Sequence, residues 1–508
     1  MRLKSSLYNS LSNVLILVST TIMTFVARTV FIQILGKECI GLDGLFTNIL
    51  TVLSVAELGI GTAINFSLYK PIQEKDTKKI SRIMSFYKKI YKCIGIVILL
   101  IGLIIMLFLN LIVKDYTIDN LYLIYFLYLL NTVITYFISY KDALLYADQK
   151  YYELSKLRTI FIFLLYGLQT IFLLLTKNYI VYLLILLICK FIERLLINIH
   201  ITKKYTEINF NCDEKIEKEE VEKIKTNVKG MFFHKIGNYF LNSTDNILIS
   251  ALVNIETVGV YSNYLALVSV ARNFITTFLS GVTSSFGNLI ASSDNDSQER
   301  VFSILDFLSF IICGFVTVCF INLLTPFIQL WLSKEYIVDN ITMIVICLNF
   351  YCYCMLIPIN IVKDASGQYY IDRYIPIIQV IVNLIASIIL SQKFGLLGII
   401  LGTFISYILV ILWSKPLIVY KYIFKKSVKK YYISQIKKII IISVTSLITI
   451  FIFNNIKFNL NIFNLIIKGL LCFIIYGIMI LVSYYKSNEL KNLINLVKEL
   501  FKDVKNEK

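Results

Sequence analysis

The chain has 508 residues, 57% of them hydrophobic and only 5 of them proline, with a mean hydropathy of +0.75. That composition excludes a soluble core of ordinary proportions and defines an all-α polytopic membrane protein. The net charge of +18 does not call for nucleic acid as a partner, because no soluble basic domain is visible and the basic residues border apolar runs, where they meet anionic lipid heads.

Met1, Arg2 and Lys4 precede an apolar run from about Leu11 to Leu35. The run is too long for a signal-peptide core and has no small-residue cleavage pattern, so it is read as the first span. The second span, near residues 41–67, repeats Thr47, Thr51, Ser54, Glu57, Gly61 and Asn65 at intervals that put them on one face of a single long helix. A carboxylate such as Glu57 near mid-helix costs roughly 2.5–3.5 kcal/mol on insertion scales, so this face is expected to meet protein or water rather than acyl chains. A short, densely basic loop follows, and its Tyr69, Lys70 and Asp76 are candidates for a gating role on the inner side. Spans near 93–113, 121–146, 157–176 and 179–200 complete a six-helix bundle over residues 1–201, and a charged linker covers 202–230. Tyrosines near span ends, such as Tyr122, Tyr125 and Tyr128, are expected to belong to an interfacial belt.

The second half repeats the count. Spans near 231–253, 257–288, 302–332, 339–362, 371–391 and 394–416 form a second six-helix bundle within 231–420. Two extra spans, near 436–454 and 461–485, lie within 421–486, for about 14 transmembrane helices in all. The tail, 487–508, sets Leu490, Leu493, Ile494, Val497, Phe501 and Val504 on one stripe between lysines, as an amphipathic helix on the membrane surface would. Displacing the numbering by 218 aligns Gly41 with Gly259, Phe46 with Tyr264, Asp76 with Asp294 and Arg82 with Arg300, without a gap. The second copy has its own polar stripe: Ser262, Ser269, Asn273, Thr276, Ser280 and Ser284. A repeat in one orientation implies two pseudo-symmetric halves related by an axis along the membrane normal.

With the N-terminus placed inside, only six of the 50 Lys and Arg fall in outer loops, and Arg28, Arg272 and Lys468 fall in spans away from their inner ends. The remainder line inner segments, which predicts that both termini are cytoplasmic. The 10 cysteines are scattered without a CxxC pair and there are 2 histidines, His200 and His234, so neither a disulfide framework nor a metal site is expected, nor any cofactor.

The charges left inside the membrane are the functional candidates. Arg28 shares a face with Thr21 and Thr24, Asp245 shares one with His234, Asn238 and Asn242, and the second and eighth spans add Glu57 and Arg272, with Asn273 beside the latter. Two readings stand. In one, Arg28 pairs with Asp245 and Glu57 with Arg272, as structural ion pairs. In the other, the guanidinium groups hold phosphate oxygens bidentately and the carboxylates balance them when the site is empty. Lys468, close to a span end, is expected to snorkel outward.

The string LDGLFTNILTVLSVAELGIGTAINFSLYKPIQEKD, the segment STDNILISALVNIETVGVYSNYLALV from Ser243 to Val268 and the span count resemble the Wzx-type polysaccharide flippases of the multidrug/oligosaccharidyl-lipid/polysaccharide exporter superfamily. The resemblance covers nearly the whole chain. It implies two six-helix bundles around a cationic, V-shaped central cavity, in a bacterial inner-membrane protein. It also implies a substrate, a polyprenyl-diphosphate-linked oligosaccharide carried to the outer leaflet for O-antigen, capsule or exopolysaccharide synthesis, with a polysaccharide polymerase and a chain-length regulator as partners. Within it, TDN at Thr244 to Asn246, YSNY at Tyr261 to Tyr264 and YKP at Tyr69 to Pro71 match common segments, while Arg28 and Arg272 are the residues that could supply the cationic cavity. A lipid II-type peptidoglycan precursor flippase is the runner-up. A multidrug extruder of the same superfamily fits less well, since it normally has twelve spans and an acid-lined pocket. A membrane glycosyltransferase would need a large outer loop or a soluble nucleotide-sugar domain, and the loops leave no room for one, so an enzyme is not expected.

Overall fold

The computed structural model describes residues 2–57, 60–114, 116–148, 150–212, 214, 216, 221–222, 225, 243–280, 295–366, 371–456 and 459–494, with side chains from residue 19 onward except at 55, 56, 62, 63, 66, 151, 152, 155, 280 and 295. The described residues are all-helical or connecting, and they group into two compact units, Met1–Ser262 and Asn263–Lys508. Ten described helices are long and apolar enough to cross a membrane.

The first unit opens on α1, Arg2–Leu53, which bends at Gly36. Gly36 has φ of 79°, in the left-handed region that glycine enters without a Cβ clash, so α1 kinks one residue past the expected end of the first span at Leu35 and runs on to Leu53. Beyond the bend, Leu42, Leu45, Phe46, Ile49 and Leu50 are buried while Thr47 is exposed, so the apolar face packs within the protein rather than facing acyl chains.

The second span is not one continuous α-helix. It tightens into a 3₁₀ turn at Ser54–Glu57 and resumes as α2, Ile60–Gln73. The cause is local: Thr51 donates to the Thr47 carbonyl at 2.7 Å and Ser54 to the Leu50 carbonyl at 2.9 Å, a back-bonding that competes with the helix ladder and bends it. The basic loop also differs from expectation. Most of it is helical, because α3 spans Thr77–Leu107 and starts well before the apolar run; Asp76 caps it by accepting from the Lys79 amide at 2.9 Å.

The unit continues with α4 (Leu121–Ala147), α5 (Tyr151–Thr176) and α6 (Tyr179–Lys204). Their Lys/Arg-rich ends are tied by carboxylates: Asp142 accepts from Arg158 at 2.6 Å and Arg194 at 3.0 Å. Glu153 likewise holds Lys204 and, at 2.9 Å, His200. The start of the linker is docked rather than loose, with Ile208 and Phe210 buried and Asn209 N–H donating to Ser81 Oγ at 3.0 Å.

The hydrogen bonds from Lys204 and then His200 hold the Glu153 carboxyl down at about 2, against an ordinary value of 4.5. A carboxyl depressed in the folded state contributes stability that is fully present above its unfolded value and is lost as pH falls through the folded one. Because the three side chains are all partly exposed and their attraction is screened, the expected contribution is only about 0.5 kcal/mol. Between pH 6 and pH 3 the thermal midpoint of the intact chain is expected to fall slightly more than that of Glu153→Gln, and parallel curves would show that the pair contributes nothing.

Helix α7, Ile255–Ser280, runs across the boundary between the units. The second unit then contains α8 (Asn295–Trp331), α9 (Asn340–Ser366), α10 (Ile375–Phe394), α11 (Leu396–Phe424), α12 (Lys429–Asn455) and α13 (Ile462–Tyr484). The two extra C-terminal spans belong to its core: Ile441 and Ile442 of α12 and Cys472, Tyr476, Ile480 and Tyr484 of α13 pack with Phe307, Phe310 and Val318 of α8. Leu490 and Leu493 of the tail pack against the same cluster, while the rest of the expected amphipathic stripe, beyond Ile494, lies outside the described residues. Side chains such as Leu175, Phe451, Phe463 and Val482 are at least 70% exposed, which suits helices solvated by acyl chains.

Candidate functional site

The bend at Gly36 folds the two halves of α1 so that Asp43, seven residues past it, faces Arg28, eight before it. The two lie in a cavity of about 190 Å³ inside the first unit, walled by Thr24 and Phe31 of α1, Tyr166 and Gln169 of α5 and Tyr182 of α6. Arg28 Nη2 donates to Ser262 Oγ at 3.0 Å. Asp43 accepts from the Tyr128 hydroxyl, which lies 3.0 Å from that of Tyr179. Phe31 packs edge-on against Tyr179 and Tyr182 at centroid distances of 5.3 and 4.8 Å, which fixes the wall beside the guanidinium. The result is a positive group and a negative group held in register at the edge of an aromatic-lined hollow.

Glu57 lies in the same unit, at the 3₁₀ break, and accepts from the Tyr91 hydroxyl of α3. Tyr87 packs edge-on against Tyr91 at 4.3 Å, and a side chain at Gly61 would touch both of their hydroxyls. A discontinuous helix at membrane depth is where transporters place polar backbone toward a cavity, so the break and the carboxylate belong to one feature. Tyr91→Phe removes the donor and is expected to cost about 1–2 kcal/mol of stability, read as a lowered thermal midpoint of the purified protein; an unchanged midpoint would remove Tyr91 from this role.

In the second unit Arg272 stacks its guanidinium 4.7 Å from the Tyr353 ring centroid, and its buried Nε has no hydrogen-bond partner among the described residues. Thr276, one turn on, lies 3.4 Å from the Tyr353 hydroxyl. Stacking on a ring stabilises a cation while leaving its N–H edge available for oxygens. Asn273 is exposed next to it.

The other sequence candidates separate. Asp245 is buried in the helical segment 243–252, and Asn242 lies outside the described residues, as do His234 and Asn238. Tyr69 is exposed, Lys70 pairs with Glu74 one turn on at 3.7 Å in solvent, and Asp76 is a helix cap. The sequence reading does not single out Asp43, Tyr128, Tyr91 or Tyr353 as site residues. Asp43 is findable by the rule that marks Glu57, since it is a carboxylate inside an apolar run; Tyr125 and Tyr128, expected in an interfacial belt, are instead buried, Tyr128 because its hydroxyl reaches Asp43 and Tyr179.

Kinked and broken apolar helices with charged side chains set in hollows are the arrangement by which membrane bundles line polar cavities. Three solved structures share the fold of the chain: the lipid II flippase MurJ in an inward closed conformation (TM-score 0.68, 16% identity, 93% of this chain and 98% of that one), a mutant of the Vibrio cholerae MATE transporter VcmN (0.53, 14%, 81% and 95%) and a MATE in the bent conformation (0.51, 14%, 78% and 91%). The chain belongs to the polysaccharide biosynthesis protein family, whose profile matches residues 6–284. No curated protein matches the sequence.

Proposed function

We propose that the protein turns a polyprenyl-diphosphate-linked oligosaccharide from the inner to the outer leaflet of a bacterial cytoplasmic membrane, with both termini inside. The observation that carries this reading is the pair of arginines in apolar helices, Arg28 beside Asp43 and Arg272 on the face of Tyr353, within a polysaccharide biosynthesis family. A diphosphate leaving water needs cations, and a guanidinium inside a bilayer needs an anion to offset its desolvation, so substrate and site solve each other's problem. Asp43 and Asp245 balance Arg28 when no substrate is bound, Glu57 adds a further acid in the first unit, and Asn242 and Asn273 supply hydrogen bonds to sugar hydroxyls.

Deleting the gene is expected to stop surface glycan and to accumulate lipid-linked precursor on the inner leaflet. Glycan made at the normal level without the protein would overturn the proposal. The second reading, a lipid II-type precursor flippase, has the whole-length fold similarity to MurJ in its favour. It predicts a different deletion phenotype, loss of cell-wall integrity with surface glycan intact.

A further inference from the structure

At the Lys/Arg-rich end of the second unit, the start of α8, the end of α11, the start of α12, the end of α13 and residues 488–489 enclose a cavity of about 560 Å³. It shares no residue with the arginine sites. Most of its charges are committed to one another: buried Lys438 pairs with Asp306, to which Gln435 also donates at 3.0 and 3.2 Å. Lys426 similarly bridges Asp296 and Glu299. Two cations, Arg300 and Lys430, and one acid, Glu489, line the same cavity without such a pairing among the described residues, alongside the hydroxyls of Ser303 and Ser434.

A second observation points to a ligand. Tyr484 lines the cavity, is 3% exposed, and its buried hydroxyl has no hydrogen-bond partner among the described residues. A native structure rarely leaves such a group unmet, and an oxygen-rich ligand in the cavity would meet it. The ring itself is held by Phe307, which also lines the cavity, at 4.8 Å and by Lys437 Nζ at 4.0 Å from its centroid, so the hydroxyl is not free to turn elsewhere.

We infer that this cavity binds a phosphoester whose far end donates hydrogen bonds, with the phosphate on Arg300, Lys430 and the Tyr484 hydroxyl and the donor end on Glu489. The chemistry is that of an ethanolamine phosphate group, either as a phospholipid headgroup or as a soluble ester. Basic pockets between span ends are where headgroups lodge, and the neighbouring Val482 and Tyr485 are more than 70% exposed, as a lipid-facing mouth requires. Tail residues 488–489 form one side of the cavity, so occupancy would fix the tail against α8.

The test uses the full chain in maltoside micelles and two probes, dihexanoyl phosphatidylethanolamine and O-phosphoethanolamine, with affinity read by calorimetry. Arg300 and Lys430 are exposed, so the double variant Arg300→Gln with Lys430→Gln is expected to fold normally and to bind the lipid probe at least ~10-fold more weakly. Tyr484→Phe keeps the ring and is expected to weaken binding by a smaller factor. If the soluble ester shows the same dependence on these residues, the ligand is a free phosphoester; if only the lipid probe does, it is a membrane lipid. Equal affinity of both probes for the intact chain and the double variant, or no binding of either to the intact chain at millimolar concentration, overturns the inference. These readouts do not involve export and stand apart from the transport reading.

Discussion

Gly41→Val and Gly259→Val are each expected to remove most of the protein from the membrane fraction. A Cβ at Gly41 would collide with the Ile255 carbonyl oxygen and lie 3.2 Å from the Gly259 nitrogen; one at Gly259 would collide with the Lys37 carbonyl oxygen and lie 3.0 Å from its carbon. The first obstacle on each side is backbone, so no rotamer change relieves it and the second half of α1 must separate from the start of α7. Helices in a bilayer gain little from burying apolar surface against each other and depend on close approach, which small residues at the crossing permit. Overpacking of this kind costs about 3 kcal/mol or more, a large part of a total stability near 5–15 kcal/mol. Gly167→Ala and Gly477→Ala are the controls, since nothing lies within 4 Å of a Cβ at either, and they are expected to leave abundance and thermal midpoint unchanged. Wild-type abundance and midpoint in Gly259→Val would show that the crossing is not needed.

That crossing also shows what a sequence can carry. Gly41 and Gly259 align as equivalent positions of an internal repeat, and in the fold they meet across one helix crossing. The hydropathy edge after Leu35 falls one residue before the kink at Gly36, whereas α12 starts at Lys429, well before the span expected from about 436. Hydropathy is silent on the 3₁₀ turn at Ser54–Glu57 and on the helical start of α3, because a helix can leave the bilayer, or tighten within it, without a change in composition. It is equally silent on the placing of Arg28 and Asp43 in one cavity. Fifteen residues separate them, and only the positive φ of Gly36 brings one back to the other. A charge in a span is visible as a cost; which partner offsets it is a matter of tertiary geometry.

Neutralising Arg28 is expected to abolish glycan export, and the question is whether it does so by losing substrate or by losing structure. Arg28→Ala leaves Asp43 in the bilayer with the Tyr128 hydroxyl as a partner but without its facing cation, so some loss of abundance follows even if Arg28 only pairs structurally. The double variant Arg28→Gln with Asp43→Asn removes both charges, keeps side chains that can hydrogen-bond, and is expected to restore abundance. Arg28→Gln with Asp245→Asn tests the other acid in the same way. Export normalised to membrane protein level then separates the roles. If the arginine holds diphosphate oxygens, every variant lacking it stays below about a tenth of wild-type export whatever its abundance, and Arg28→Lys recovers only part because an ammonium cannot form the bidentate fork. Arg272→Ala is expected to behave likewise with less effect on abundance, since its guanidinium rests on the Tyr353 ring and its Nε has no partner among the described residues, so its removal strands no carboxylate there. Full export from either neutral double variant would make Arg28 a structural counter-ion and would move the substrate's phosphates to a different part of the chain.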